Sequence, residues 1–350
     1  MNFDFAGQAP KMMMLLWGLV GFAVVVGGLL FVLDAVPSYF ARRREAQVLA
    51  AYASGGPMPR RTKPREGLFA LFFLMPAVLL LLIGLVVPAL RTTLLSFMDG
   101  SSQNWVGLDN YRWMFADDAI VRVLLNTLVW VTLVPLAATA IGLIYAVLVD
   151  KARLESIAKS LIFMPMAISF VGASIIWRFV YAYRGDDQDQ IGLLNRIVVS
   201  LGGEPRQWLL DSPLNTLLLI VIMVWIQAGF AMVVLSAAIK SIPADIVEAA
   251  RLDGVTPWQM FWQITMPSIR PALIVVVVTI SIATLKVFDI VRTTTNGNYD
   301  TSVIANEMYN QAFRYGENGQ GSALAVFLFI LVVPIVIFQI RNLRQQRREG

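Results

Sequence analysis

The chain has 350 residues, of which 57% are hydrophobic and only 15% charged, with mean hydropathy +0.68 and a formal net charge of +5. A soluble globular domain carries roughly a quarter charged residues, so the composition excludes that class and points to a polytopic membrane protein. Cysteine and histidine are both absent, which removes disulfides, thiolate nucleophiles, imidazole metal ligands and histidine acid–base catalysis.

Crossing about 30 Å of hydrocarbon takes roughly 20 apolar residues. The first such run is Met12 to Leu33. It is too long for a signal-peptide h-region, and no basic residue precedes it in Met1 to Pro10, so it reads as a retained span. Arg42, Arg43, Arg44, Arg60, Arg61, Lys63 and Arg65 follow, flanking Gly55-Gly56-Pro57. Such a block sets orientation and attracts anionic lipid. Nucleic-acid binding is disfavoured, because Tyr52 is the only aromatic among the charges. The expected organisation is an accessory span over 1–40, a basic linker over 41–67, a membrane core over 68–343 and a short tail over 344–350.

Within the core, apolar runs recur at Leu68 to Leu90, Thr127 to Leu148, Leu161 to Tyr181 and Leu217 to Ile239. Pro76, Pro135 and Pro165 sit where they would kink these helices. The intervening segments Asn104 to Phe115 and Arg184 to Pro213 have the Gly, Asn, Asp and Pro content of turns. Asp186, Asp187 and Asp189 cluster there; a solvated loop accounts for them better than a cation site, since no further carboxylates stand nearby in sequence. Asn126, Trp225 and Gln227 are polar or aromatic residues inside spans, with the chemistry to meet sugar hydroxyls or to pack helices.

After the fifth run comes Lys240 to Pro271. Ser241 is placed to cap a first short helix with Pro243 and Asp245 in its opening turn, and Gly254 stands where a helix ends in the left-handed region. Thr256-Pro257-Trp258-Gln259 spells a capping box for a second helix. Ile242, Ile246, Ala249 and Ala250 share one face of the first helix; Trp258, Phe261, Trp262 and Thr265 share one face of the second. Three readings suit this helical hairpin: an interfacial helix, a plain connector, or a helix docked in a partner's groove, with small Ala249 and Ala250 allowing close approach beside Glu248. Trp258 and Trp262 would then anchor it to its own spans.

Two further runs, Ala272 to Phe288 and Ser322 to Phe338, complete seven predicted spans and an all-α bundle, with Asn296 to Gly321 as a third turn-rich connection. Ser281 and Thr284 are polar positions in the sixth run. Lys286 and Asp289, three apart near its end, would neutralise each other on one helix. Placing Ala35 to Gly67, Asp150 to Ser160, the hairpin and the C-terminal tail on one side gives that side a roughly two-to-one excess of Lys and Arg over Asp and Glu, and the other side an acidic excess. By the positive-inside rule the hairpin and C-terminus face the cytoplasm and the N-terminus lies outside.

Glu248-Ala249-Ala250, Gly254, Ile264 and Pro267, with Met266 where leucine is usual, resemble the EAA loop of permease subunits in binding-protein-dependent ATP-binding-cassette importers. Thr284-Leu-Lys-Val-Phe288-Asp289, Thr301, Tyr309, Ala312-Phe313 and Gly321-Ser-Ala-Leu-Ala are similar to the sugar branch. Shorter pieces add to this: Val106-Gly-Leu-Asp-Asn-Tyr111, Asn126-Thr-Leu128, Trp177-Arg178 and Gly192-Leu-Leu-Asn195. The likeness covers about Leu68 to Leu343 and is nearest to the first permease of a maltose- or alpha-glucoside-type system. Thr294-Thr-Asn-Gly-Asn298 departs from the family's Thr-x-Gly-Gly-Pro, so the resemblance does not set the course of that connection.

The resemblance implies a second, similar permease subunit, two copies of a cytoplasmic ABC ATPase docked on the hairpins, and an external solute-binding protein that delivers a carbohydrate across the bacterial cytoplasmic membrane by alternating access. Glu248, Ala249, Ala250, Gly254, Ile264 and Pro267 would couple to the ATPase. No Gly-x-x-x-x-Gly-Lys-Ser/Thr loop occurs, so ATP and Mg would be used by that partner, with no catalytic residue, metal or cofactor in this chain. A polyol or glycerol phosphate is the alternative substrate. A membrane enzyme would need a second acidic cluster, and a secondary carrier would need ionisable groups at the midplane; neither pattern appears.

Overall fold

In the computed structural model, residues 66–150, 154–185 and 188–349 are described, with scattered positions between 13 and 53; for 66–73 and 343–349 the description is of the backbone alone. Most of Met12 to Leu33, the basic residues between 42 and 65, and Asp186 and Asp187 lie outside the described residues. The chain divides into two units, Met1–Pro88 and Ala89–Gly350. In the first, α1 (Glu66–Leu81), with Pro76 inside it, leads into a π-helical turn at Leu82–Val86.

After α2 (Val87–Leu95), the second unit holds α3 (Asp109–Ala116), α4 (Asp118–Val149), α5 (Glu155–Phe163), α6 (Phe170–Val180), α7 (Leu193–Ser200) and α8 (Leu214–Lys240). Then come α9 (Ala244–Leu252), α10 (Pro257–Gln259), α11 (Met266–Leu285), α12 (Asp289–Thr294), α13 (Ile304–Tyr309) and α14 (Asn318–Glu349). Among the described residues every named element is helical, as expected for an all-α fold; one isolated bridge joins Met98 to Trp105.

Five described helices are long and apolar enough to cross a membrane, and a sixth segment qualifies as a broken pair. With the bent pair counted as one, these match six of the seven predicted spans by length and composition. The broken one corrects the expectation of a single helix over Leu161 to Tyr181: Glu155–Ala167 and Phe170–Val180 meet at 101°. Pro165 sits in a 3₁₀ turn and Ile168 is extended, which interrupts the backbone ladder. Ser169 Oγ then accepts from the Gly172 N–H at 3.1 Å and restarts the helix. Pro135, by contrast, lies buried within a continuous α4.

The connection after Val149 is short, and α4 and α8 pack at close range. A Cβ on Gly142 would overlap Ala231 Cβ and stand 2.9 Å from the Ala228 carbonyl. Small residues at such a contact let backbones approach and gain packing that lipid cannot match. Gly229, on α8, likewise leaves room for the Ile162 carbonyl of the broken span. Trp130, Val134, Ile222, Met223, Met232, Val276 and Ile280 fill the core between α4, α8 and α11. A second cluster of Met114, Ile120, Val123, Ile304 and Leu324 closes the opposite end from the hairpin.

Candidate functional site

The hairpin forms, with its turn defined by backbone geometry. Gly254 has φ +75°; its N–H donates to Arg251 O at 3.1 Å, and the Val255 N–H donates to Ala250 O at 3.2 Å. These are the two bonds of a Schellman motif, which needs a left-handed residue after the helix. The capping box follows at once. Thr256 Oγ1 accepts from the Gln259 N–H at 3.3 Å, and Gln259 Oε1 accepts from the Thr256 N–H at 2.9 Å. The turn thus has both flanking helix ends satisfied by residues 250 to 259.

Two details differ from the sequence-based expectation. Ser241 ends α8, donating its hydroxyl to Ala238 O, and Pro243 precedes α9 without a side-chain cap. The second helix is not a separate short element: α10 runs through a π-helical turn, Met260–Thr265, directly into α11. A π turn shifts the angular phase of the side chains, so Trp258, Phe261, Trp262 and Thr265 do not share one face. Phe261 and Thr265 line a cavity with Val147, Asp150 and Arg251. Trp258 and Trp262 stack edge-on at 5.6 Å and remain 71% and 48% exposed, so within this chain they do not anchor the hairpin to its own spans.

Along α9 only Ala250 is buried; Glu248 and Ala249 are exposed, Ile246 is 49% exposed and Leu252 90%. α9 thus leaves apolar Ile246 and Leu252 uncovered while its C-terminal end is closed by the Schellman bonds. Ile264 is half-buried in the π turn, and Pro267 is exposed in the first turn of α11.

Beside the hairpin lies a charge cluster that the motifs do not announce. Lys159 Nζ stands 2.6 Å from Glu155 Oε1 and 3.6 Å from Asp150 Oδ1, and also meets Ser236 Oγ. Lys240 Nζ bonds the same Glu155 carboxylate and lies 3.3 Å from Asp150. The cluster ties the end of α4, the start of α5 and the end of α8, three residues before Pro243. Glu155 and Lys159 at i, i+4 were the available sequence signal.

At mid-bundle, the bend of the broken span opens a cavity of about 370 Å³ lined by Met166, Ile168, Ser169, Phe170, Ile226, Gln227, Phe230 and Thr279. Gln227 is buried. The other path candidates are differently placed. Trp225 packs edge-on to Trp177 at 5.7 Å. Ser281 and Thr284 return their hydroxyls to Val277 O and Ile280 O of their own helix, and Thr284 is fully buried. Asn126 donates to the carbonyls of Asp300 at 2.5 Å and Ser302 at 3.0 Å. Lys286 ends α11 and Asp289 begins α12, so the helix breaks between them and no ion pair joins them among the described residues. Asp189 is exposed, and among the described residues no acidic group is arranged to hold a metal.

At the end opposite the hairpin, residues 295 to 302 form a tight turn with four left-handed residues: Asn296 (φ 60°), Gly297 (79°), Tyr299 (56°) and Asp300 (60°). Side-chain clamps hold it. Asn126 bonds two of its carbonyls, Asn215 Nδ2 donates to Tyr299 O at 2.7 Å, and the Thr295 and Thr301 hydroxyls meet at 2.6 Å. A Cβ on Gly297 would overlap Asn306 Nδ2. Left-handed backbone costs an L-residue roughly 1–2 kcal/mol where glycine pays nothing. The turn borders a cavity of about 500 Å³ shared with Asp118, Arg122, Ser302 and Glu307.

Comparison with known proteins agrees with this architecture. Residues 138–349 match the family described as binding-protein-dependent transport system inner membrane component. The chain is 52% identical over 276 residues to the osmoprotective compounds uptake permease protein GgtC of Synechocystis sp., covering 79% of this chain and 99% of that one. It is 50% identical over 271 residues to the alpha-glucoside transport system permease protein AglF of Rhizobium meliloti, covering 77% and 81%. Its fold matches a chain of a bacterial ABC transporter involved in the import of the acidic polysaccharide alginate, with TM-score 0.68 at 25% identity over 81% of this chain and 96% of that one. The chain belongs to the inner-membrane permease components of binding-protein-dependent ABC transport systems.

Proposed function

We propose that this subunit carries a carbohydrate, of alpha-glucoside type, inward across the cytoplasmic membrane as one half of a permease pair. An external solute-binding protein delivers the sugar, and two copies of a cytoplasmic ABC ATPase supply the energy with their own ATP and Mg; this chain binds neither. The substrate class rests on the 50% identity to an alpha-glucoside permease. A small osmoprotective solute is the second reading, supported by the 52% identity to GgtC. The N-terminus faces outward and the hairpin and C-terminus face the cytoplasm, in keeping with the basic bias of that side.

The observation that carries the mechanism is the hairpin. Glu248, Ala249 and Leu252 stand exposed on a helix whose turn is fixed by Gly254. Such an element transmits a displacement instead of absorbing it. Docked in an ATPase groove, it moves α8 and the α10–α11 helix as the ATPase dimer closes on ATP, and Lys240 and Glu155 pass that movement to the bent span beside the mid-bundle cavity. Gln227 at that cavity has the hydrogen-bonding chemistry for a sugar hydroxyl, with Trp225 nearby on the same helix. Coupling of this kind is a difference in docking between two states, so it requires stiffness at the hairpin.

Uptake of radiolabelled alpha-glucosides and of a small polyol osmoprotectant by proteoliposomes holding the complete transporter tests the substrate. ATP-dependent alpha-glucoside accumulation, with little polyol uptake, is expected. Polyol uptake alone would replace the first reading with the second.

A further inference from the structure

The cavity opposite the hairpin holds side chains that the transport reading has not used. Tyr299 and Asp300 both adopt left-handed backbone, at φ 56° and 60°, where glycine would be unstrained. Neither side chain is the principal support of the turn, which is held by Asn126 and Asn215 through the backbone carbonyls of 299, 300 and 302 and by the Thr295–Thr301 contact. What the two positions gain over glycine is a half-exposed phenol ring and a carboxylate at the cavity wall.

The rest of the wall is polar and varied. Arg122 reaches Asp300 Oδ2 at 2.6 Å, and Glu307 is oriented by Gln311 at 2.8 Å and Asn310 at 3.2 Å. Asp118 opens the wall at the start of α4 and is exposed. Carboxylates that accept paired hydroxyls, a guanidinium that donates to them and an aromatic face for a pyranose ring make up a set suited to a neutral sugar. A volume of about 500 Å³ lies within the range that takes a small ligand.

We propose that this cavity is an outer sugar subsite, in which Tyr299, Asp300, Arg122 and Glu307 hold one or two hexose units between release from the external protein and entry to the mid-bundle path. This rests on the carbohydrate reading. It adds that selectivity is exercised twice along the path, first at this wall and then at the mid-bundle cavity.

Tyr299→Gly separates the side chain from the turn. In the complete transporter it should leave Tm unchanged or raised, because the left-handed backbone is relieved, while KM for ATP-driven alpha-glucoside uptake rises about tenfold. The ratio of uptake between a mono- and a disaccharide glucoside should also change. Tyr299→Phe, which keeps the ring, should restore most of the uptake. Unaltered uptake and selectivity in Tyr299→Gly would overturn the proposal. A uniform loss for all sugars, with weaker binding of the sugar-free external protein to the transporter, would also overturn it and make this wall a protein-docking surface. Failure of wild-type protein to transport any alpha-glucoside would defeat the carbohydrate reading instead, and is recognised by the wild-type control.

Discussion

The hairpin and the turn at residues 295 to 302 are both tight, both built around a left-handed glycine and both at an end of the helix bundle, yet they spend their side chains in opposite ways. The hairpin satisfies itself with backbone bonds and one capping box, leaving Glu248, Ala249, Leu252 and Trp258 exposed. The other turn consumes side chains from distant helices, Asn126 and Asn215 among them, to hold a strained backbone in place. Order that comes from local backbone leaves a surface free for a moving partner. Order that comes from remote clamps fixes a wall to the bundle, so that the wall follows whatever α4 and α8 do.

Five substitutions break or sharpen that contrast. The largest effect is expected of Gly254→Pro. Proline fixes φ near −65° and lacks the N–H that bonds Arg251 O, a conflict worth about 3 kcal/mol. ATP-driven uptake should fall about a hundredfold while membrane insertion, checked by protease accessibility, is unchanged. Glu248→Lys comes next: if the hairpin docks as proposed, reversal of this exposed charge should weaken ATPase association by about 2 kcal/mol, read by titrating the ATPase onto the permease pair. Retention of full association would place the partner elsewhere on the hairpin.

Gly142→Ala probes the scaffold common to both ends. A methyl group that overlaps Ala231 Cβ and lies within 3 Å of two backbone atoms should cost about 1–3 kcal/mol by overpacking, seen as a lower Tm in detergent. Glu155→Gln removes the carboxylate shared by Lys159 and Lys240, both partly solvated, and should lower Tm only slightly. Its effect on coupling, the ratio of sugar moved to ATP hydrolysed, should exceed its effect on Tm if the cluster links the hairpin to the bent span.

The smallest effect concerns Asp99, in the connection after α2. Hydrogen bonds from the Asn104 side chain and the Gln103 N–H hold its carboxyl at about 2, below the ordinary 3.8. A depressed carboxylate stabilises the fold above the unfolded value and loses that contribution as pH falls through the folded one. Tm should therefore drop slightly between about pH 4 and pH 2, and Asp99→Asn should remove that slope.

The sequence made the hairpin legible because its signals are local: a capping box, a glycine after a helix and an acidic first turn are all read within a few residues. It did not reveal the π turn at Met260–Thr265, which depends on how α10–α11 packs, and so it misplaced Trp258 and Trp262. The break in the fourth predicted span was half visible, since Pro165 marked it but the 101° bend needs Ser169 and Gly229 as well. Asparagines show the deeper limit. Asn126 reads from sequence as a polar residue able to meet a ligand, whereas it, like Asn110, Asn195 and Asn215, donates to backbone carbonyls of a loop, at 2.5–3.5 Å. Composition and periodicity register an asparagine's chemistry, and only the fold says which carbonyl it meets. Sequence left Gln227 between sugar contact and helix packing; in the fold it lines a cavity, because the bend of the broken span clears space beside α8.

The absence of native cysteine allows the central claim to be tested at one residue. Ala249→Cys in the assembled transporter, treated with a short bifunctional thiol reagent and an ATPase carrying a single cysteine at its groove, should cross-link in high yield, and the yield should change between ATP-bound and nucleotide-free states. Tyr299→Cys should give no such product. Cross-linking from position 299, or none from position 249 in an active transporter, would contradict the assignment of the hairpin as the point where ATP-driven motion enters this chain.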